Sequence, residues 1–285
     1  MQLRSVRTAT SPPPVPTPAI PLTLAAVALG AILAMAPIAA QAETLSERFE
    51  TVVEVDPASS VAVRNTNGNV SVTIWDRDQV EIVAEKRARS GDRQAAAEAL
   101  EEIRIDIERS PGRLAIETEL PRSSNGVLAW LLGRHVDASV SYEIRVPRTA
   151  PLEVVTVNGR VSSSGPSGEQ RLRTTNGRIE VGAAGGDVDA RTTNGSIDVA
   201  LDSRLERSDV ELSTTNGSIT LRLPDDLRGR LEARTVNGRI STELPVTLES
   251  SRSRRRLDGD LNGGGANRIG LRTVNGSISV LELAG

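Results

Sequence analysis

The stretch LRTTNGRIEV (residues 172–181) carries the pattern that decides the fold of this chain. Before its Asn-Gly pair, Leu172 and Thr174 alternate with two residues that would lie on the opposite face. After the pair, Ile179 and Val181 alternate with charged residues in the same way. A period of two with one apolar face is typical of short strands with one buried side. Because Asn and Gly tolerate positive φ, the pattern predicts a turn between two strands.

The tetrad Thr-(Thr/Val)-Asn-Gly occurs six times between residues 156 and 276, after a looser copy, NTNG, at residues 65–68. In the six tetrads, successive asparagines are 18, 18, 22, 21 and 38 residues apart. A period near 20 residues indicates stacked repeats, so we predict regular repeats over residues 152–283. The predicted turn residues, all with a structural role, are Asn67, Gly68, Asn158, Gly159, Asn176, Gly177, Asn194, Gly195, Asn216, Gly217, Asn237, Gly238, Asn275 and Gly276.

Two architectures could use such a turn. An Asn-Gly pair between strands is typical of a two-residue antiparallel hairpin. The flanking strands are short and the unit recurs, however, and an isolated hairpin is marginally stable in water. We therefore predict that each Asn-Gly pair is a corner of a parallel β-solenoid whose rungs stack about 4.8 Å apart. Stacking further predicts an asparagine ladder and a row of threonine hydroxyls along the rungs.

The rest of the chain is predicted to be β-strands with one short helical insert, so the fold class is all-β. Asp92 or Ser90 would cap a helix over residues 92–103, with an apolar side that includes Ala99 and Leu100. Loop insertions are predicted at residues 123–135 and 250–267, the second rich in Arg and Gly. Strands are predicted at residues 52–55, 61–64, 70–74, 80–84, 104–107, 114–119 and 139–146.

Residues 1–42 have the features of a signal peptide. Two arginines precede an apolar run at residues 22–35, and Ala-Gln-Ala at residues 40–42 fits a small-residue cleavage site. We therefore predict an exported protein, periplasmic, attached to the cell envelope or secreted, with a single domain over residues 43–285. An uncleaved N-terminal anchor stays open as an alternative. The chain has no cysteine, which excludes disulfides and thiolate metal sites.

The sequence contains no recognisable catalytic constellation, so we predict no catalytic, cofactor-binding or metal-binding residues. The chain has one histidine, His135, and its aromatic residues all precede residue 150. The run DGDLNG at residues 258–263 matches the start of a calcium-binding loop, but Ile269 stands at the twelfth position, where a glutamate is needed. A flexible Gly-rich loop is the better interpretation. The formal net charge of −3 predicts no bulk affinity for nucleic acid.

Two features are candidate interaction surfaces. Arg173, Arg191, Arg234 and Arg272 occupy the same outward position in different repeats. They could pair locally with acidic residues, or they could form a basic stripe that binds anionic polymers of the envelope. The second candidate is the apolar segment VLAWLL at residues 127–132, with Leu128, Trp130 and Leu131. It could contact a partner protein or a membrane surface, or it could cap an open end of the solenoid.

Three segments together resemble one bacterial family. They are VAVRNTNGNVSV at residues 61–72, YEIRVP at residues 142–147, and the serial Thr-x-Asn-Gly-x-Ile units that follow. These segments are similar to those of the DUF4097 family, whose members are described as adhesin-like. The resemblance covers about residues 51–283 and implies a right-handed parallel β-solenoid in an exported or envelope-associated protein.

The sequence and the resemblance together predict a non-enzymatic scaffold that acts as an adhesin-like interaction module at the envelope or cell surface. Its partner would be an envelope protein, a membrane surface or an anionic polymer. Two alternatives stay open at this point. One is a polysaccharide-acting β-helix enzyme, because parallel β-helices host lyases and hydrolases. The other is a component of envelope-stress sensing, a role that the resemblance permits.

Overall fold

The structure is a computed structural model that describes residues 43–56, 58–121, 136–202, 207–248 and 253–283. Over these ranges the chain forms 21 strands and one short helix, which confirms the all-β prediction. The strands belong to one compact unit and lie in two large sheets, one of 10 strands and one of 11. The predicted signal peptide and the predicted 123–135 loop lie outside the described residues.

The first third of the fold holds seven strands and the helix α1 (Arg93–Glu102). These strands are β1 (Glu43–Glu54), β2 (Ser60–Arg64), β3 (Val70–Trp75), β4 (Gln79–Ser90), β5 (Arg104–Ser110), β6 (Arg113–Glu119) and β7 (Asp137–Pro147). The repeats follow as β8 (Leu152–Val155), β9 (Val161–Ser164), β10 (Gln170–Asn176), β11 (Ile179–Ala184), β12 (Val188–Asn194), β13 (Ile197–Leu201), β14 (Asp209–Asn216), β15 (Ile219–Leu223), β16 (Gly229–Asn237), β17 (Ile240–Thr242), β18 (Val246–Leu248), β19 (Arg256–Leu261), β20 (Asn267–Asn275) and β21 (Ile278–Glu282).

Each of the seven Asn-Gly pairs predicted as turns joins the two sheets and is therefore a corner. The chain passes from β10 in the 11-stranded sheet to β11 in the 10-stranded sheet, and six other corners repeat this step. The inward residues that flank the corner, Leu172, Thr174, Ile179 and Val181, are apolar or threonine and are buried between the sheets, as is Gln170 at the start of β10. The hairpin interpretation is thus excluded, because a hairpin would pair the two strands within one sheet.

The repeats pair in parallel and in register, but the sheets are mixed. Thr174 lies opposite Thr192, and Thr192 opposite Thr214, across three parallel strands. At one end, however, β1, β4 and β7 pair antiparallel, as do β5 and β6. At the other end, β19 pairs antiparallel with β16 and with β18. The prediction of a purely parallel solenoid is therefore wrong at both ends, where antiparallel hairpins flank the parallel stack.

The spatial order of the repeats departs from their order in the sequence. In the 11-stranded sheet, β20 lies between β14 and β16, so the last repeat is inserted between the two that precede it. The chain first forms β16 and then β18 and β19 on the far side of it. It then returns to fill the place beside β14. The 38-residue spacing of the last two asparagines reflects this detour.

The predicted Arg/Gly-rich loop at residues 250–267 is in large part ordered structure. Its residues Arg256–Leu261 form β19, and Asn267 already belongs to β20. Leu257 and Leu261 are buried, and this burial explains why the segment adopts a strand conformation. The loop prediction is therefore wrong for these residues, while residues 249–252 lie outside the described part.

The helical insert agrees with its prediction to within one residue at each end. The side chain of Asp92 accepts a hydrogen bond of 2.9 Å from the backbone N–H of Gln94 and thus caps the helix. Ala96 and Ala99 are buried against Ala88 of β4 and the half-buried Leu45 of β1. The helix thereby packs on the end of the sheet where β1 and β4 pair.

Candidate functional site

The corner asparagines form a continuous side-chain ladder along the stack. The Nδ2 of Asn158 donates to the Oδ1 of Asn67 over 2.8 Å, and the next three rungs repeat this bond at the same distance. The ladder then follows the spatial order of the rungs, from Asn216 to Asn275 and from there to Asn237, over 2.8 and 2.9 Å. Seven side chains thus satisfy one another at an exposed corner, which fixes the register of the rungs.

The corner glycines are needed for close approach and not for positive φ. Of the seven, only Gly68 has a φ in the left-handed region, at 121°. The expectation of positive φ at the other six corners is therefore wrong. A Cβ placed on Gly177, Gly195 or Gly217 would instead overlap the carbonyl oxygen of the glycine one rung before. The rungs stack so tightly at this column that only glycine fits.

The inward threonines bond to the glycine column and not to one another. The hydroxyl of Thr192 donates to the carbonyl of Gly177 over 3.1 Å, and that of Thr214 donates to the carbonyl of Gly195 over 2.9 Å. The same bond recurs at Thr174, Thr235 and Thr273, whereas the buried hydroxyl of Thr156 in the first tetrad has no hydrogen-bond partner among the described residues. The threonines thus lie in register along the rungs as predicted, and their hydroxyls donate to backbone carbonyls of the neighbouring rungs.

Asn65 occupies the threonine position in the first rung and was missed as a site by sequence reasoning. Its buried Nδ2 donates to the carbonyls of Val140, Asn67 and Gly68 over 2.8, 3.2 and 3.3 Å. A threonine hydroxyl could donate to one of these carbonyls only. Asn65 therefore ties the first corner to β7, the strand that enters from the antiparallel end.

Replacing Asn65 with alanine is expected to lower the free energy of unfolding by about 2 kcal/mol, because the buried hydrogen bond to the carbonyl of Val140 is lost together with the two part-buried bonds. The exposed neighbour Thr66 provides the control, and alanine there should change stability by less than about 0.5 kcal/mol. Urea unfolding of both variants measures the difference. Equal stability of the two variants would show that the amide of Asn65 does not hold the corner.

The outward arginine column is split into two halves with different surroundings. Arg173 and Arg191 lie opposite each other and share one carboxylate, that of Asp189, at 3.6 and 2.9 Å. Ser213 follows in the same column and separates this half from the next. At Arg173 and Arg191 the charge is therefore neutralised in part by local pairing.

In the second half of the column, three arginines lie opposite one another on adjacent strands, and we call them the row of three arginines. Arg272 lies opposite Arg234 on the neighbouring parallel strand, and Arg234 lies opposite Arg256 on the antiparallel strand β19. Arg272 contacts Glu211 at 3.2 Å, whereas Arg256 is 3.9 Å from Asp258, which lies closer to Arg230, at 2.7 Å. Arg234 has no carboxylate within ion-pair distance in the part of the chain that the structure describes.

Three further arginines lie at the same end of the molecule. The backbone N–H of Thr235 donates to the carbonyl of Arg255, and that of Ile240 donates to the carbonyl of Arg254, both over 3.0 Å. The turn before β19 is thus fixed beside the corner that carries Arg239. We call Arg234, Arg239, Arg254, Arg255, Arg256 and Arg272, all exposed, the C-terminal arginine cluster.

The comparisons with known proteins identify the family. The sequence model of the Toastrack DUF4097 family matches residues 45–281, nearly the whole described domain. The chain belongs to the Toastrack DUF4097 family. This finding confirms the resemblance that the corner repeats and the YEIRVP segment indicated. No curated protein matches this Toastrack chain.

Among solved structures, this Toastrack chain is similar to a candidate cell adhesion protein from Clostridium sporogenes, with 10% identity and a TM-score of 0.49. The match covers 84% of this chain and 100% of the other. A candidate adhesin from Bacteroides fragilis has 9% identity and a TM-score of 0.39, over 83% of this chain and 97% of its own. At these identities and TM-scores, neither structure bears on what this chain binds.

The other candidate sites of the Toastrack chain do not form a metal-binding site in the described part. Asp258 and Asp260 lie on β19, and the Nδ2 of Asn262 donates to the carbonyls of Asp225 and Leu227, so the DGDLNG run serves the fold. Over the described ranges, no group of three or more histidines or carboxylates could hold a metal ion. His135, Leu128, Trp130 and Leu131 lie outside the described residues. No helix in the described part is both long enough and apolar enough to cross a membrane.

One surface groove of the Toastrack fold was not predicted from the repeat pattern. A shallow groove of about 320 Å³ crosses the outer face of the 10-stranded sheet, lined by small residues that include Thr73, Ser164, Gly182 and Ala200. The ion pair of Arg222 with Asp198 lies among its lining residues. The groove arises because small side chains lie next to one another on adjacent strands. Their proximity depends on the register of the strands, which the sequence alone does not give.

Proposed function

We propose that this Toastrack protein is an exported, non-enzymatic scaffold that binds anionic polymers of the bacterial envelope through its C-terminal arginine cluster. In this proposal residues 1–42 are a cleaved signal peptide and residues 43–285 are the binding domain. The stacked repeats hold these arginines on adjacent strands. A right-handed coil of the parallel repeats is also proposed, because parallel β-crossovers are right-handed in nearly all known cases.

The row of Arg272, Arg234 and Arg256 is the observation that carries the proposal. Like charges on adjacent strands repel, and such an arrangement is unfavourable unless an anion offsets it. Of the nearby carboxylates, Glu211 contacts Arg272, whereas Asp258 is shared between Arg256 and Arg230. Local pairing therefore leaves an excess of positive charge at Arg234 that an anionic ligand could neutralise.

The surrounding charge supports the same conclusion. Residues 228–248 and 253–283 contain nine arginines and five acidic residues, although the whole chain has a net charge of −3. Positive charge is thus concentrated at one end of the stack. Planar guanidinium groups also bind carboxylate and phosphate groups in a bidentate manner, so arginine suits a polyanion better than lysine does.

The test compares two variants that reverse the same number of charges in the same column. In the first, Arg234 and Arg272 are replaced with glutamate. In the matched control, Arg173 and Arg191 are replaced with glutamate. Binding of the chain from Glu43 onward to immobilised polyphosphate is measured at low and high salt. We expect the first variant to lose at least about tenfold in affinity and most of its salt dependence, and the control to lose much less.

Equal losses in the two variants would contradict the proposal, since the binding would then depend on total charge and not on the cluster. Absence of polyphosphate binding by the unmodified chain would contradict it as well. Vesicles that contain phosphatidylglycerol are tested in parallel. Stronger binding to these vesicles than to the polymer would assign the cluster to a membrane surface instead.

A further inference from the structure

The strand β1 presents a long free edge at the end of the 10-stranded sheet. It runs over 12 residues, Glu43–Glu54, and pairs with β4 alone among the described strands. Most strands in globular proteins are about half this length. A free edge of this length leaves a row of backbone N–H and C=O groups that can pair with another strand.

The side chains of β1 indicate that its edge is incompletely covered. Leu45, Phe49 and Val53 face the interior but are only half-buried, although each packs against buried apolar residues. Val52, on the outer face, is 50% exposed and is the most exposed of the large apolar side chains of the described part. A strand added at this edge would cover all four residues, which favours such an addition.

We propose that β1 pairs with the β1 strand of a second copy, antiparallel, about a twofold axis at Phe49. In a continuous sheet, opposed residues lie on the same face, so the axis must pass through a residue and not between two. A centre at Arg48 would oppose two arginines, and a centre at Glu50 would oppose two glutamates. Like charges directly opposite each other are destabilising, which disfavours both registers.

The register centred at Phe49 brings opposite charges together at its centre and opposes no like charges. Arg48 lies opposite Glu50 of the second copy, and the symmetry repeats this pair. Leu45 lies opposite Val53, Ser46 opposite Val52, and Glu47 opposite Thr51. No two like charges face each other anywhere between residues 43 and 55. In this register β1 therefore pairs with a second β1 without charge conflict, with attraction between Arg48 and Glu50 and apolar contact at Phe49 and between Leu45 and Val53.

Pairing in this register would form about ten backbone hydrogen bonds between the two copies. It would place the two Phe49 side chains beside each other and cover both exposed edges. Because the contact is isologous, it closes after two copies and leaves no β1 edge for further growth. The dimer therefore also removes the aggregation risk of a long free edge. It involves the end of the sheet opposite to β17 and is independent of the arginine cluster.

The first test exchanges the charges at the centre of the proposed interface. Arg48 and Glu50 are exposed, with side-chain exposures of 69% and 55%, and they contact each other at 3.4 Å within one chain. Arg48 also lies opposite Glu85 of β4, so Arg48→Glu places two glutamates opposite each other within the chain, as Arg64→Glu does with Glu117 of β6. Sedimentation equilibrium of the chain from Glu43 onward should show a dimer. We expect Arg48→Glu to raise the dissociation constant at least about tenfold, because two glutamate pairs then face each other. The double variant Arg48→Glu, Glu50→Arg should restore dimerisation to within about threefold.

Arg64→Glu provides the matched control, since it makes the same charge change on the exposed face of the other sheet and should leave the dimer unchanged. The proposal is overturned if the unmodified chain is monomeric at every concentration. It is overturned equally if Arg48→Glu leaves the dissociation constant unchanged, or if the double variant dimerises no better than the single one.

A second test determines the register directly. The chain has no cysteine, so a single introduced cysteine reports on one position without background. Phe49→Cys should form an intermolecular disulfide under mild oxidation, because residue 49 lies opposite itself. Val52→Cys should not, because the two copies of residue 52 would be separated by six residues along the strands, about 20 Å. Cross-linking at residue 52 in preference to residue 49 would exclude the proposed register.

Discussion

Replacing Gly195 with alanine is expected to lower the free energy of unfolding by about 3 kcal/mol. The cost does not come from backbone strain, because the φ of Gly195 lies outside the left-handed region. It comes from the Cβ, which would overlap the backbone carbonyl of Gly177 on the neighbouring rung. That carbonyl cannot move without loss of its bond from Thr192 and a shift of the stack. Valine at Gly195 or Gly217 should cost more, because its side chain is larger.

Gly182 provides the matched control for this prediction. It lies within β11, in the same repeat region, but a Cβ there would meet the side chain of Ser164 at 3.5 Å, an ordinary contact. Gly182→Ala is expected to change stability by less than about 1 kcal/mol, in either direction. Thermal and urea unfolding of both variants measure the contrast. If Gly195→Ala and Gly182→Ala have the same stability, the glycine column does not limit the approach of the rungs.

The second large effect is expected at alkaline pH and involves Tyr142. Its hydroxyl lies 2.6 Å from the hydroxyl of Thr118, and the side chain is 1% exposed between the two sheets. Burial raises the pKa of Tyr142 to about 12, and the bond with Thr118 opposes this rise only in part. In the unfolded chain a tyrosine has a pKa of about 10.

The direction of the pH effect follows from these two pKa values. Below about pH 10 the tyrosine is neutral in both states, and its contribution to stability is complete. Between about pH 10 and 12 the unfolded chain loses the proton while the folded chain keeps it, so unfolding is favoured. We expect the free energy of unfolding to fall by about 1.4 kcal/mol per pH unit in this interval, or by roughly 3 kcal/mol in all.

Tyr142→Phe isolates this contribution. The chain has one tyrosine and one lysine, Lys86, so few other side chains titrate in the same interval. The variant should lose about 1 kcal/mol at neutral pH through the lost hydroxyl bond, and its stability should depend much less on pH above 10. Absorbance at 295 nm reports tyrosinate directly in the folded and the urea-unfolded chain. A folded-state titration near pH 10 would show that Tyr142 is not buried as described.

Much of the local structure could be predicted because it depends on short-range pattern. The alternation in LRTTNGRIEV gives the strands and their buried faces, and Asp92 three residues before Ala95 marks the start of the helix. The role of the corner glycines was predicted for the wrong reason, since positive φ is a property of one residue. Close approach is a property of two rungs, and it becomes visible only when they are stacked.

The candidate site illustrates the same limit. Sequence alignment of the repeats groups Arg173, Arg191, Arg234 and Arg272 as equivalent, and the structure places all four in one column. Whether each arginine has an acidic partner depends on which rungs are neighbours. Asp189 neutralises the first pair in part, whereas the neighbour of Arg234 on the far side is Arg256, from a segment that the sequence indicated to be a loop.

The sequence by itself determined the all-β class, the corners, the inward and outward faces of the strands beside the corners, and the family. These properties follow from residue type at a fixed short spacing. The tertiary structure decided the order of the rungs, the antiparallel ends and the grouping of the arginines. Gly270 of the inserted strand β20 lies between Glu211 of β14 and Glu232 of β16. Because Gly270 has no side chain, the carboxylate of Glu211 fits beside it. Such a fit joins residues that are 59 positions apart, and no local pattern records it.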